Sequence, residues 1–191
     1  GLILKLFAVL ILFTICRFLF YAFNHNFFSF SRPKEFIWVF LSGIRFDLVA
    51  LSIVNAPFIV FSLFPVILRE KSWYRALLSF LFISMNALAL LANLIDFAYF
   101  PYTLKRTTAD VFDLISIGGG GDFLRLLPSY LSDFWYLILI WLVFIIILFG
   151  LNKRYSVAVA ETGNKLVFFI KNTIYLSVGL TLGVIASRGG V

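Results

Sequence analysis

Five stretches of the chain are apolar almost without interruption, at about 2–23, 36–64, 73–100, 134–151 and 166–186. Each approaches or exceeds the roughly 20 residues an α-helix needs to cross about 30 Å of hydrocarbon. Proline 65 closes the second stretch, and short polar connectors separate the rest, except for a long segment at 101–133. Within that segment, 103–117 puts Leu104, Val111, Phe112 and Ile115 on one helical side, with Lys105, Arg106, Asp110 and Asp113 mostly elsewhere. That is the pattern of a helix lying in a membrane interface. The glycines at 118–121 break it, and Asp122 is placed to cap a second short helix that ends or kinks around Pro128. The expected fold is therefore all-α: a single transmembrane domain of five spans, with interfacial helices between the third and fourth.

Composition strengthens this reading. Apolar residues make up 62% of the chain and charged residues 13%, whereas a soluble domain is nearer half apolar and a quarter charged. The one cysteine, Cys16, and the one histidine, His25, argue against a zinc site of the usual ligand types. Cys16 lies in the first apolar stretch, where a small apolar filler would sit. That stretch is longer than a typical signal core, and Tyr21, Ala22 and Phe23 offer no small-x-small cleavage site, so it reads as a retained anchor.

The net charge of +7 invites a nucleic-acid reading, but topology explains it better. With the N-terminus inside, Lys5, Arg69, Lys71, Arg75, Lys153, Arg154, Lys165 and Lys171 fall at the cytoplasmic side. Arg32, Lys34, Lys105, Arg106, Arg125 and Arg188 fall outside, where Glu35, Asp110, Asp113, Asp122 and Asp133 nearly balance them. The basic excess then faces anionic lipid on the cytoplasmic surface. Five spans place Val191 outside. The chain starts without a methionine and is expected to be part of a longer protein that continues outside the membrane.

Four charges lie inside the spans: Arg17, Arg45, Asp47 and Asp96. At about 1.5 Å per helical residue, all fall in the outer half of the bilayer. A charge facing lipid there costs a few kcal/mol, so these groups are expected to face one another or a hydrated cavity. Arg45 and Asp47 are two positions apart, about 200° around a helix, and point to opposite sides. Arg45 shares a face with Ser52 and Asn55; Asp47 shares one with Gly43, Ala50 and Val54, where a second helix can approach. The second span is therefore expected to be central. The third span carries Ser79, Asn86 and Asn93 at heptad spacing, with Asp96 a turn further on, a stripe aimed at the bundle interior. Arg45 with Asp96 and Asp47 with Arg17 are candidate ion pairs, and the exchanged pairing is open.

Two readings of these groups stand side by side. In one, Arg17, Asn55 and Asn86 with the charged pairs are structural contacts that lock the bundle. In the other, Arg45, Asp47, Asn93, Asp96 and Arg106 shape a pocket for a lipid head group, with Arg106 on a lipid phosphate. Simple snorkelling is the alternative role for Arg106. No complete catalytic site is visible. No Gly-Lys-Ser/Thr follows the four glycines, and Asp122 would repel a phosphate there. Thr107 and Thr108 have no base nearby in sequence.

The motifs GIRFDL at 43–48, NLIDFAYFPYTLKRTTADVF at 93–112, SDFWYLILIW at 132–141 and the closing SRGG at 187–190 resemble the N-terminal membrane domain of a family. That family is the lipoteichoic-acid-synthase-like, sulfatase-superfamily membrane proteins, which include phosphoglycerol transferases. The resemblance implies a bacterial cytoplasmic-membrane protein of cell-envelope synthesis. Its five spans would precede an extracytoplasmic catalytic domain with a threonine nucleophile and a divalent metal, typically manganese. Those catalytic and metal positions would fall after residue 191, so none is carried onto this chain, and no cofactor is expected in it. The implied partners are an anionic phospholipid such as phosphatidylglycerol and the protein's own outer domain, not nucleic acid. Phosphoethanolamine transfer, sulfatase-like hydrolysis and a non-enzymatic carrier or assembly scaffold remain alternatives.

Overall fold

A computed structural model describes residues 2–28, 32–63, 71–104, 132–155, 170 and 174. All regular structure among them is helical: α1 (Leu2–Phe23), α2 (Pro33–Val54), α3 (Ala56–Leu63), α4 (Ser72–Thr103) and α5 (Trp135–Arg154), with one 3-10 turn at His25–Phe27 between α1 and α2. Four of these helices, α1, α2, α4 and α5, are long and apolar enough to cross a membrane. The expected fifth span lies outside the described residues apart from Ile170 and Ile174, which are helical and exposed. The two expected interfacial helices and the four glycines, within 105–131, also lie outside them.

Ring contacts set the directions of the helices. Phe18 stacks on Phe40 at 4.3 Å and Tyr21 meets Phe36 edge-on at 5.2 Å, so α1 and α2 are antiparallel. Phe20 lies 5.1 Å from Phe100 at one end of the bundle, while the Lys5 ammonium lies 5.0 Å from the Phe82 ring at the other, so α1 and α4 run the same way. α5 returns: Tyr136 stacks on Phe23 at 5.4 Å, and the Lys5 Nζ donates to Asn152 Oδ1 at 2.7 Å. One end of the bundle thus carries the α1–α2 turn, and the opposite end carries Lys5, Lys71, Arg75, Lys153 and Arg154.

The hub is α4, which touches α1, α2, α3 and α5. Every fourth residue from Tyr74 to Leu94 is buried: Tyr74, Leu78, Phe82, Asn86, Leu90 and Leu94. That row is an i±4 ridge of the kind that seats in the grooves of neighbouring helices. Val9, Leu12, Phe13 and Cys16 from α1 and Leu137, Phe144 and Leu148 from α5 fill the spaces beside it. The Trp141 indole donates to the Ala87 carbonyl at 2.9 Å, tying α5 to the middle of the hub. Large apolar side chains also cover the outside, including Ile3, Phe7, Ile11, Ile15 and Phe18 along α1. An apolar exterior around a packed interior suits a multi-pass membrane protein.

Three expectations are corrected here. The second span is not one helix over 36–64; it breaks at Asn55 into α2 and α3. Pro57 has no N–H for the Ile53 carbonyl, and its ring crowds that carbonyl. The ladder resumes around the break, with Asn55 N–H on Leu51 O at 2.9 Å and Ile59 N–H on Asn55 O at 2.8 Å. Nor is the second span central: Leu51 is the one buried residue of α2 among those described. α4 also outlasts the expected stop at Phe100, carrying Pro101 in its last turn. It closes with Leu104 in the left-handed region (φ 54°), whose N–H reaches Phe100 O at 2.8 Å.

Candidate functional site

Antiparallel packing of α1 on α2 brings Arg17 opposite Gly43 and Asp47. Glycine at 43 leaves the α2 backbone bare, and a Cβ there would coincide with the Arg17 guanidinium. The guanidinium therefore lies flat on α2. Its Nη1 donates to Phe40 O at 3.1 Å, its Nη2 donates to Gly43 O, and Nη2 pairs with Asp47 Oδ1 at 2.5 Å. Both partners keep a little access, 15% for Arg17 and 16% for Asp47. Of the two candidate pairings for Asp47, the structure forms the one with Arg17. The shared face of Gly43 and Asp47 is the one that a second helix approaches, as the spacing implied.

Beside the pair lies a partly open cavity of about 500 Å³ between α1, α2 and α4. Arg17, Ser42, Asp47 and Asn93 supply its polar wall, and Phe20, Tyr21 and Phe100 are among the aromatic rings around it. Asn93 is anchored by Nδ2 donating to Ala89 O at 2.9 Å. The cavity has a volume typical of small-molecule sites, with apolar walls and a few convergent polar groups. It opens in the half of the bundle that carries the α1–α2 turn, because Tyr21, Phe28 and Phe100 border it.

The remaining candidate residues divide. Asp47 and Asn93 line the cavity, and so does Arg17, which the sequence marked as structural. Asp96 is buried on α4 at 6% exposure but does not line the cavity. Arg45 is exposed, and the expected Arg45–Asp96 pair does not form. The reason is the placement of α2, which turns its Gly43 and Asp47 side to α1 and leaves Trp38, Leu41, Arg45 and Leu48 facing out. Arg106 lies outside the described residues.

Asn55 and Asn86 do not share the surroundings of Arg45. Each is fully buried, and they clasp each other: Asn55 Nδ2 donates to Asn86 Oδ1 at 2.9 Å and Asn86 Nδ2 to Asn55 Oδ1 at 2.7 Å. Their second amide protons go to Leu51 O at 3.1 Å and Phe82 O at 2.7 Å. This is a structural lock between the α2–α3 break and the hub.

Sequence reasoning missed Lys5, which is 3% exposed rather than a cytoplasmic surface group. Its ammonium rests between the Phe58 ring, 5.6 Å away, and the Phe82 ring, 5.0 Å away, besides its bond to Asn152. A desolvated cation on an aromatic face gains about 2 kcal/mol. The available signal was a lysine three residues inside an otherwise apolar run.

Among the described residues no three His, Cys, Asp or Glu side chains gather into a group able to hold a metal ion. No protein-family model, curated protein or solved structure matches the chain.

Proposed function

We propose that this chain is the membrane domain of a bacterial cytoplasmic-membrane enzyme, and that the cavity beside Arg17 and Asp47 receives part of a lipid. In this reading the N-terminus is inside, so the α1–α2 turn and the cavity lie in the outer half of the bilayer. The domain is then the anchor and lipid-side platform for an extracytoplasmic phosphoglycerol-transferase-like domain that works on head groups such as that of phosphatidylglycerol. The enzyme class rests on the resemblance of the GIRFDL, NLIDFAYFPYTLKRTTADVF and SDFWYLILIW motifs alone.

One observation carries the lipid reading: a part-buried guanidinium–carboxylate pair opens onto an aromatic-walled cavity within the apolar thickness of the bundle. A pair needed only to lock two helices gains nothing from a void beside it, since unfilled space forfeits packing. A carrier would need a polar route to the opposite end. The interior there is closed by Phe58, Phe82, Leu90 and Leu148, each with no exposed surface.

Photo-cross-linking tests this. Phosphatidylglycerol with a head-group diazirine, in nanodiscs holding the protein, is expected to label Tyr21, Phe40, Phe46 or Phe100. Labelling confined to the outer stripe of Ile3, Phe7, Ile11 and Ile15 would reject the cavity as a lipid site.

A further inference from the structure

The side of α2 turned away from α1 carries a seam of its own. Trp38, Leu41, Arg45, Leu48 and Ser52 follow one another at spacings of three, four, three and four, the repeat by which one helix seats against another. Trp38, Leu41, Arg45 and Leu48 are all exposed. Ser52 returns its hydroxyl to Leu48 O at 2.8 Å. α2 is also the least packed of the four membrane-length helices, with 6% of its most apolar stretch buried against 33% for α4. Arg45 stands in the middle of this seam, and its guanidinium forms no ion pair or hydrogen bond among the described residues. We propose that the seam docks a transmembrane helix of a partner protein, and that this helix carries an aspartate or glutamate at the level of Arg45.

Charge complementarity selects the occupant. An arginine at mid-span is costly unless an opposite charge meets it, and the chain supplies none. Of its acidic residues only Asp47 and Asp96 lie within the five apolar stretches. Asp47 pairs with Arg17 on the far side of α2, and Asp96 is buried on α4. Glu35 is ten residues back along α2, about 15 Å away. The fifth apolar stretch, 166–186, holds Lys171 and no acidic residue, so it leaves the charge unanswered. A second copy docked by the same face sets Arg45 against Arg45, and its Asp47 and Asp96 are turned inward as they are here. A lipid phosphate reached by snorkelling would answer the charge but makes no use of the seam. A helix bearing a carboxylate uses both: Trp38, Leu41 and Leu48 pack against it, and the guanidinium binds the carboxylate through paired N–H donors and sets the register, as a single polar seam residue does in coiled coils.

The test is association of the full chain with synthetic single-span helices in phosphatidylcholine vesicles, read by Förster transfer between labels on the two. The probe helices share a leucine seam and differ at one central position, Glu, Leu or Lys. The Glu helix is expected to bind about three- to fifteenfold more tightly than the Leu helix, the range of interhelical polar contacts in membranes, and the Lys helix more weakly than either. Arg45→Leu is expected to abolish the preference for Glu. Replacing Leu41 and Leu48 together by alanine is expected to weaken binding of the Glu helix severalfold, an effect that snorkelling to a phosphate would not produce. Equal binding of the Glu and Leu helices overturns the proposal, as does a preference for Glu that survives Arg45→Leu or a Glu helix indifferent to the alanine pair. Loss of the preference when phosphatidylglycerol replaces half of the phosphatidylcholine assigns Arg45 to a lipid phosphate and also overturns it. So does transfer between two labelled copies of the chain that the alanine pair abolishes, because the seam is then filled by a second copy.

Discussion

At the scale of single residues, Gly43 decides whether Arg17 can reach Asp47. In an ordinary helix interior, glycine to alanine stabilises by about 1 kcal/mol. At position 43 the added methyl would stand where the guanidinium lies, so Gly43→Ala is expected to destabilise, by about 1.5–3 kcal/mol, as the charged hydrogen bonds are displaced. Gly150 on α5 is the internal control, because a Cβ there meets nothing within 4 Å; Gly150→Ala is expected to be neutral or mildly stabilising. Thermal unfolding in detergent, followed by circular dichroism, separates the two. An unchanged or raised midpoint for Gly43→Ala would mean that the guanidinium does not rest on that backbone. The Arg17–Asp47 pair was legible because helical geometry puts Asp47 on the small-residue face of Gly43 and Ala50, and a small face invites a close neighbour. Lys5 was not legible, because a lysine near a chain end reads as a surface charge until its neighbours in α3, α4 and α5 are known.

At the scale of elements, α2 shows what periodicity can and cannot decide. It correctly separates Arg45 from Asp47 by more than half a turn. It does not say which side meets the bundle, and α2 meets it through the Asp47 side. Pro57 was visible in the second apolar stretch, but the break it causes puts Asn55 at a helix end where its side chain can turn to Asn86. That pair is predicted to be strongly coupled. Asn86→Leu leaves the buried Asn55 amide without its side-chain partner, and Asn55→Leu does the same to Asn86. Each single change is expected to cost about 1–3 kcal/mol, and the double change clearly less than their sum. An additive double-mutant cycle would deny the clasp. Arg45 gives the opposite case. An outward charge about halfway along a span is unfavourable by about 2.5–3.5 kcal/mol at the helix centre, although its long stem lets it reach toward the surface. Arg45→Leu is therefore expected to improve insertion of the second span in a glycosylation-mapping assay and to leave the Gly43-dependent stability unchanged. Poorer insertion would show that Arg45 is sheltered within the chain itself.

At the scale of the whole molecule, alternating helix directions sort the chemistry by end. Aromatic residues crowd the turn end, where Phe23 stacks on Tyr136 and Phe28 on Phe100, each at 5.4 Å. Lysine and arginine gather at the other, with Lys71, Arg75, Lys153 and Arg154 exposed. This asymmetry fixes the sidedness of the cavity once either end is located. In the proposed orientation, which follows the positive-inside tendency, the basic end faces the cytoplasm and the cavity falls in the outer half of the bilayer. Cysteine labelling checks this, because Cys16 is 1% exposed and can be replaced by alanine to give a cysteine-free background. Into it go His25→Cys at the exposed turn and Lys153→Cys at the basic end. On intact cells a membrane-impermeant maleimide is expected to label position 25 and to reach position 153 only after permeabilisation. The reverse pattern would put the Arg17–Asp47 cavity in the cytoplasmic half, beneath the wrong surface to serve an external catalytic domain. The platform role would then fall even if the lipid site itself stood.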